Sequence, residues 1–94
     1  MIQIELILED GNRYILKNND LFKIFPYSML NRNGFILKNY KSKIFELEKI
    51  ARNKKAEEIL ISNLESGNFR LLNLKHKDYN INDLIDAINY VFWY

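Results

Sequence analysis

The sequence predicts one α+β domain spanning residues 1–94, and three observations carry that expectation. Residues 2–8 place Ile2, Ile4, Leu6 and Leu8 on one side of an extended chain, the period-two signature of a strand. From Asn80 onward, Ile81, Leu84, Ile85, Ile88, Val91 and Phe92 recur at helical spacing. The length of 94 residues, 48% of them apolar, suits one hydrophobic core and leaves no room for a two-domain enzyme.

The elements follow in order. After the first strand, Glu9-Asp10-Gly11-Asn12 is a hairpin turn, and Arg13 to Leu16 is the return strand. Asn18-Asn19-Asp20 offers capping side chains ahead of a short helix carrying Leu21, Phe22, Ile24 and Phe25. Pro26 ends that helix, because proline is excluded from a helix interior, and opens a second from Tyr27 to Asn31. Phe35-Ile36-Leu37 and Ile44-Phe45-Glu46-Leu47 read as a second pair of strands around a polar Asn39-Tyr40-Lys41-Ser42 stretch. Beyond Asn53, Ala56, Ile59, Leu60 and Leu64 follow the i, i+3, i+4, i+8 stripe of an amphipathic helix, with Gly67 as its left-handed stop. Phe69 to Leu74 is a short strand, and Asn80 with Asp83 makes a capping box in front of the last helix. The core expected from these assignments is Ile4, Leu6, Leu30, Ile59, Leu60, Leu64, Leu84, Ile88 and Val91. No internal repeat or linker is evident.

Charge is uneven. The net +2 combines −2 over residues 1–22, +7 over residues 23–55 and −3 over residues 56–94. The basic segment 23–55 offers an alternative reading as a nucleic-acid footprint. It lacks an Arg-rich cluster, a Gly-rich phosphate loop and a stacking motif, so a solvated face is preferred and nucleic acid is not the expected partner. The absence of cysteine excludes disulfides, thiolate zinc sites and thiol nucleophiles, and it fits an intracellular compartment, cytoplasm or nucleus. No apolar run approaches the ~18 residues of a membrane span.

Residues that could carry chemistry do not assemble into a site. His76 sits between Lys75 and Lys77 and supplies one ligand where zinc needs several. Ser28 has no nucleophile elbow and reads as a helix-start hydroxyl. Glu57 and Glu58 fall roughly 100° apart on the expected helix, so they do not converge. Glu46 and Glu48 share one face of the expected strand without a third ligand beside them. No catalytic residue, metal or cofactor is expected, and the chain is read as non-enzymatic.

Two surfaces remain as candidate protein interfaces. The strand Ile2 to Leu8 carries only Glu5 as a charged guard, and Ile7 points away from its main apolar face, so Ile2 and Ile7 mark an edge that invites another chain. Tyr90, Trp93 and Tyr94 fall partly off the stripe of the last helix and belong to the residue types enriched at interfaces.

The chain also resembles the BTB/POZ domain superfamily, the broad group that includes potassium-channel tetramerisation domains and elongin C. The resemblance runs through IQIELILEDGNRYIL and DLFKIFPYSML, with the step Pro26, Ser28, Leu30, then KIFELEKI and AEEILISNLESGNFRL, then INDLIDAINYVFW. It implies a small sheet of short strands capped by helical hairpins. It also implies a non-enzymatic adaptor role, by homo-oligomerisation or by binding a partner such as a cullin-type ubiquitin ligase scaffold. A small inhibitor or decoy of a host complex is the further alternative.

Overall fold

The computed structural model describes residues 2–26 and 40–93, and of Trp93 the backbone alone. Alternation makes Ile2–Leu8 a strand, β1, and Gly11, at φ 88°, turns the chain into β2, Arg13–Ile15. A short helix follows, α1, Asn18–Ile24, which buries Leu21 and Ile24 and stops one residue before Phe25. The capping residues expected ahead of it lie inside its first turn. The N-cap is Lys17, with no side-chain cap bond. Proline cannot continue a helix, and Pro26 stands just beyond this one.

The Ile44 to Leu47 strand is corrected: Tyr40–Asn53 is a helix, α2, whose buried Ile44, Leu47 and Ala51 repeat at i, i+3 and i+7. Phe45 misled the reading, because it lengthens the apolar burst to a strand-like run yet faces solvent. The helix stops where Lys55 takes the left-handed conformation at φ 59°. The expected helix beyond Asn53 is corrected as well. Ala56–Asn63 is a strand, β3, paired through the turn at Gly67 with Phe69–Asn73, β4, as the short strand there was expected to run. Ile81–Trp93 forms the last helix, α3. Its capping box is made: Asn82 N–H donates to Asn80 Oδ1 at 2.8 Å and Asn80 N–H to Asp83 Oδ2 at 2.9 Å.

The strands form one antiparallel sheet in the order β2-β1-β3-β4. Register decides which residues meet the helices. Ile4 lies opposite Ile61 and Leu6 opposite Ile59, and all four are fully buried in one cluster with residues of α1, α2 and α3. The described helices therefore cover one face of a two-layer α+β domain. Ile4, Leu6, Ile59, Leu84, Ile88 and Val91 of the expected core are in it. Leu60 points to the opposite face, Leu64 is exposed in the turn, and Leu30 lies outside the described residues. Also outside them are the Tyr27 to Asn31 helix, the Phe35 to Leu37 strand and Ser28.

A repeat that the sequence reading missed becomes plain in the fold. Each half is a hairpin followed by helix, and β1 meets β3 antiparallel at the centre. Leu8-Glu9-Asp10-Gly11-Asn12 recurs as Leu64-Glu65-Ser66-Gly67-Asn68, with both glycines at positive φ. In each turn the residue before the glycine accepts a bond from the following Asn N–H: Asp10 Oδ1 from Asn12 at 2.9 Å, and Ser66 Oγ from Asn68 at 3.3 Å. The closing pairs are Leu8 with Asn12 and Asn63 with Asn68, so the second turn holds one residue more. That extra residue shifts strand parity between the copies and conceals the repeat.

Candidate protein-interaction surface

Strand parity determines the surface. With the even-numbered side chains of β1 turned to the helices, Gln3, Glu5 and Ile7 point the other way, and no described helix packs on that side. One cross-strand row reads Ile15, Glu5, Leu60, Leu71, and the next reads Arg13, Ile7, Glu58, Asn73. Phe69 stands beside Ser62 in a third row. Ile15 is 49% exposed, Leu71 50% and Phe69 59%, so the strands at both margins of this face present large apolar groups to water. Glu5 in the middle is answered by Arg13, whose guanidinium reaches it at 3.3 Å. The centre of the face therefore holds one compensated carboxylate, Glu5, and a second, Glu58, while its margins carry the exposed apolar groups.

The two ends of the sheet differ. β2 has Arg13 on this face where the repeat places Phe69 in β4. A charged side chain on an edge strand discourages a second chain from pairing, and β4 has lost that guard on its open side.

On the helix side of β4, a cleft of about 680 Å³ runs between the strand and α3, bordered by Arg70, Leu72, Asp83, Asp86 and Tyr90. Arg70 stacks on Tyr90 with its guanidinium carbon 3.3 Å from the ring centre and also donates to the Phe69 carbonyl at 3.1 Å. At the end of the cleft His76 Nδ1 accepts the Asp78 N–H at 3.2 Å, which turns that nitrogen into the loop's own backbone. Behind the cleft Tyr79 donates its hydroxyl to the Glu48 carboxylate on α2. Burial, and then that bond, hold the Tyr79 phenol well above the usual tyrosine range. Among the described residues, no group of three His, Cys, Asp or Glu side chains could hold a metal ion.

The carboxylates weighed from sequence sit elsewhere than expected. Glu57 occupies a bulge in β3 and pairs with Lys75 at 3.0 Å, while Glu58 faces the side opposite the described helices. Glu46 and Glu48 lie on a helix, where a spacing of two residues turns them apart. Glu46 approaches Lys43 at 3.8 Å. Parts of the basic segment are engaged within the fold: Arg52 stands over Tyr79 at 5.8 Å and Lys54 over Tyr14 at 4.4 Å.

The sequence-derived interface residues do not form one patch. Ile2 faces the helices and packs against the core, whereas Ile7 faces the open side. β1 is not an edge strand. It is paired on both sides, and among the described residues the edges are β2 and β4. Tyr90 is half-buried against the core and under Arg70. The Trp93 side chain and Tyr94 lie outside the described residues. Ile15, Leu60, Phe69 and Leu71, which the sequence reading did not name as interface residues, share the open face with Ile7. Their signal was the Ile-Leu and Leu-Leu pairs ending each hairpin, where one residue must face away from the core.

The fold and surface define a two-layer α+β domain with an open, partly apolar sheet face. Comparison with protein-family models, curated proteins and solved structures finds no match. The BTB/POZ resemblance thus rests on the sequence segments alone. Two of them, KIFELEKI and AEEILISNLESGNFRL, adopt the reverse of the secondary structure it assigns them, helix for strand and strand for helix. No described helix is long and apolar enough to cross a membrane.

Proposed function

We propose that the chain is a non-enzymatic protein-interaction module that associates with a second copy of itself and presents to a partner the sheet face opposite its described helices. The observation that carries this reading is the set of apolar groups on that face, Ile15, Leu60, Leu71 and Phe69, beside a β4 edge whose one charged side chain, Arg70, lies on the helix side. Such a face costs free energy in water and gains it on burial against another apolar surface, at about 25 cal/mol per Å² removed from solvent. The Glu5 and Arg13 pair offsets one of the two carboxylates on this face, the other being Glu58. An adaptor role toward a larger scaffold, of the cullin type suggested by the BTB/POZ resemblance, would use the same face and belongs to this proposal. The test is light scattering coupled to size separation at about 100 μM, where a micromolar dimer is formed almost fully. The wild-type chain should exceed its 11.3 kDa protomer mass, and the Ile15→Asp/Leu71→Asp double variant should run as a folded monomer. A wild-type monomer under these conditions would overturn the self-association.

A further inference from the structure

The pattern of β4 points to the geometry of that self-association: two copies join edge to edge through β4, antiparallel, into one continuous eight-stranded sheet with order β2-β1-β3-β4 repeated in reverse. This rests on the proposed self-association and adds the surface that makes it.

The backbone gives the first argument. Leu74 N–H donates to Glu57 O at 2.7 Å and Asn63 N–H to Asn68 O at 2.8 Å, which sets the alternation along the ladder. Asn68, Arg70, Leu72 and Leu74 therefore bond to β3, and Phe69, Leu71 and Asn73 turn their N–H and C=O groups to the outer edge. Two of those carbonyls already have a donor, from Arg70 at Phe69 and from the His76 N–H at Asn73. Leu71 keeps both groups free among the described residues. The three outward residues are symmetric about Leu71, so an antiparallel copy places Leu71 against Leu71 and Phe69 against Asn73. The central pair closes two N–H to C=O bonds.

The side chains give the second argument. A two-fold axis perpendicular to the sheet keeps like faces together, so Phe69 and Leu71 of both copies merge into one apolar strip on the open side. On the helix side each Arg70 arrives opposite Leu72, at the cleft whose α3 wall carries Asp83 and Asp86. A cation thus meets carboxylates. β4 carries its arginine, Arg70, on the helix side, whereas β2 carries Arg13 on the open side.

Proline separates this geometry from face-to-face association. Because the Leu71 N–H points outward, Leu71→Pro removes no bond to β3 and is compatible with an edge strand. Leu71→Thr is the companion variant, which trims the apolar side chain and keeps the N–H. The readouts are mass by light scattering for both variants and amide hydrogen exchange of the wild-type chain. Edge pairing predicts a dimer for wild type and Leu71→Thr, a folded 11.3 kDa monomer for Leu71→Pro, and a Leu71 amide protected at high concentration that exchanges freely on dilution. A wild-type dimer whose Leu71 amide exchanges freely, or a Leu71→Pro variant that stays dimeric, overturns edge pairing and leaves self-association standing. A wild-type monomer overturns both. Should Leu71→Pro fail to fold, the wild-type amide decides alone.

Discussion

At the scale of single residues, two positions hold conformations or contacts that their neighbours do not dictate. Tyr79 ties the loop ahead of α3 to α2 through Glu48. A hydrogen bond to a charged acceptor contributes about 1 to 2 kcal/mol net, so Tyr79→Phe should lower the unfolding free energy by roughly that amount in urea at neutral pH. The phenol also makes stability depend on alkaline pH. Its pKa is raised in the folded chain, so its contribution is fully present below the ordinary tyrosine value of about 10 and is lost as pH rises through the folded value. Wild type should accordingly lose stability more steeply above about pH 10 than Tyr79→Phe does, and parallel pH profiles for the two would contradict this. Lys55 is the second position. It is a non-glycine residue in left-handed backbone, with φ 59°, a conformation costing roughly 1 to 2 kcal/mol against the normal helical region. Glycine adopts it freely but brings more disorder to the unfolded chain, so Lys55→Gly should stabilise by up to about 1 kcal/mol in the same denaturant experiment.

At the scale of elements, β3 shows why part of the fold was readable and part was not. Period-two alternation in β1, the turn at Gly11, the β4 strand and the α3 stripe each carry their signal locally, and the structure places all of them as expected. In β3, Leu8 pairs with Ala56 and Ile7 with Glu58, so Glu57 is an extra residue bulged out of the ladder. The bulge sets buried Ala56 and Ile59 three positions apart, a spacing that imitates a helix. Leu60 and Leu64 completed the imitation, one facing the open side and the other standing in the turn. The open face was illegible for the same reason: with β3 taken as a helix, no sheet existed for Ile15, Leu60 and Leu71 to share. Substitution separates the two readings. Ile59→Ala and Ile61→Ala should each cost about 2 to 5 kcal/mol, since both side chains are fully buried, whereas Leu60→Ala should cost about 1 kcal/mol or less in the monomer. Equal losses at Ile59 and Leu60 in urea unfolding would contradict the assigned register.

At the scale of the whole molecule, duplication and asymmetry together give the protein its surface. Two hairpins built on one turn motif meet through their first strands, so both second strands are left as edges. Each edge strand carries one arginine, Arg13 on the open face of β2 and Arg70 on the helix side of β4, where Phe69 takes the position equivalent to Arg13. The described helices all lie on one side, and the margins of the opposite face carry the exposed Ile15, Leu71 and Phe69. Sequence alone reached the α+β class, and its expectation of self-association came from the general hazard of strand edges. It placed the hazard on β1, because which strand is central depends on long-range pairing that no local pattern records. Under the proposed function the chain associates with a second copy of itself. Sedimentation equilibrium of the wild-type protein across a concentration series from about 1 to 100 μM tests it most directly, the range in which a micromolar dimer forms. The predicted result is a reversible rise in mass toward twice the 11.3 kDa protomer, and a single species of 11.3 kDa at every concentration would contradict it.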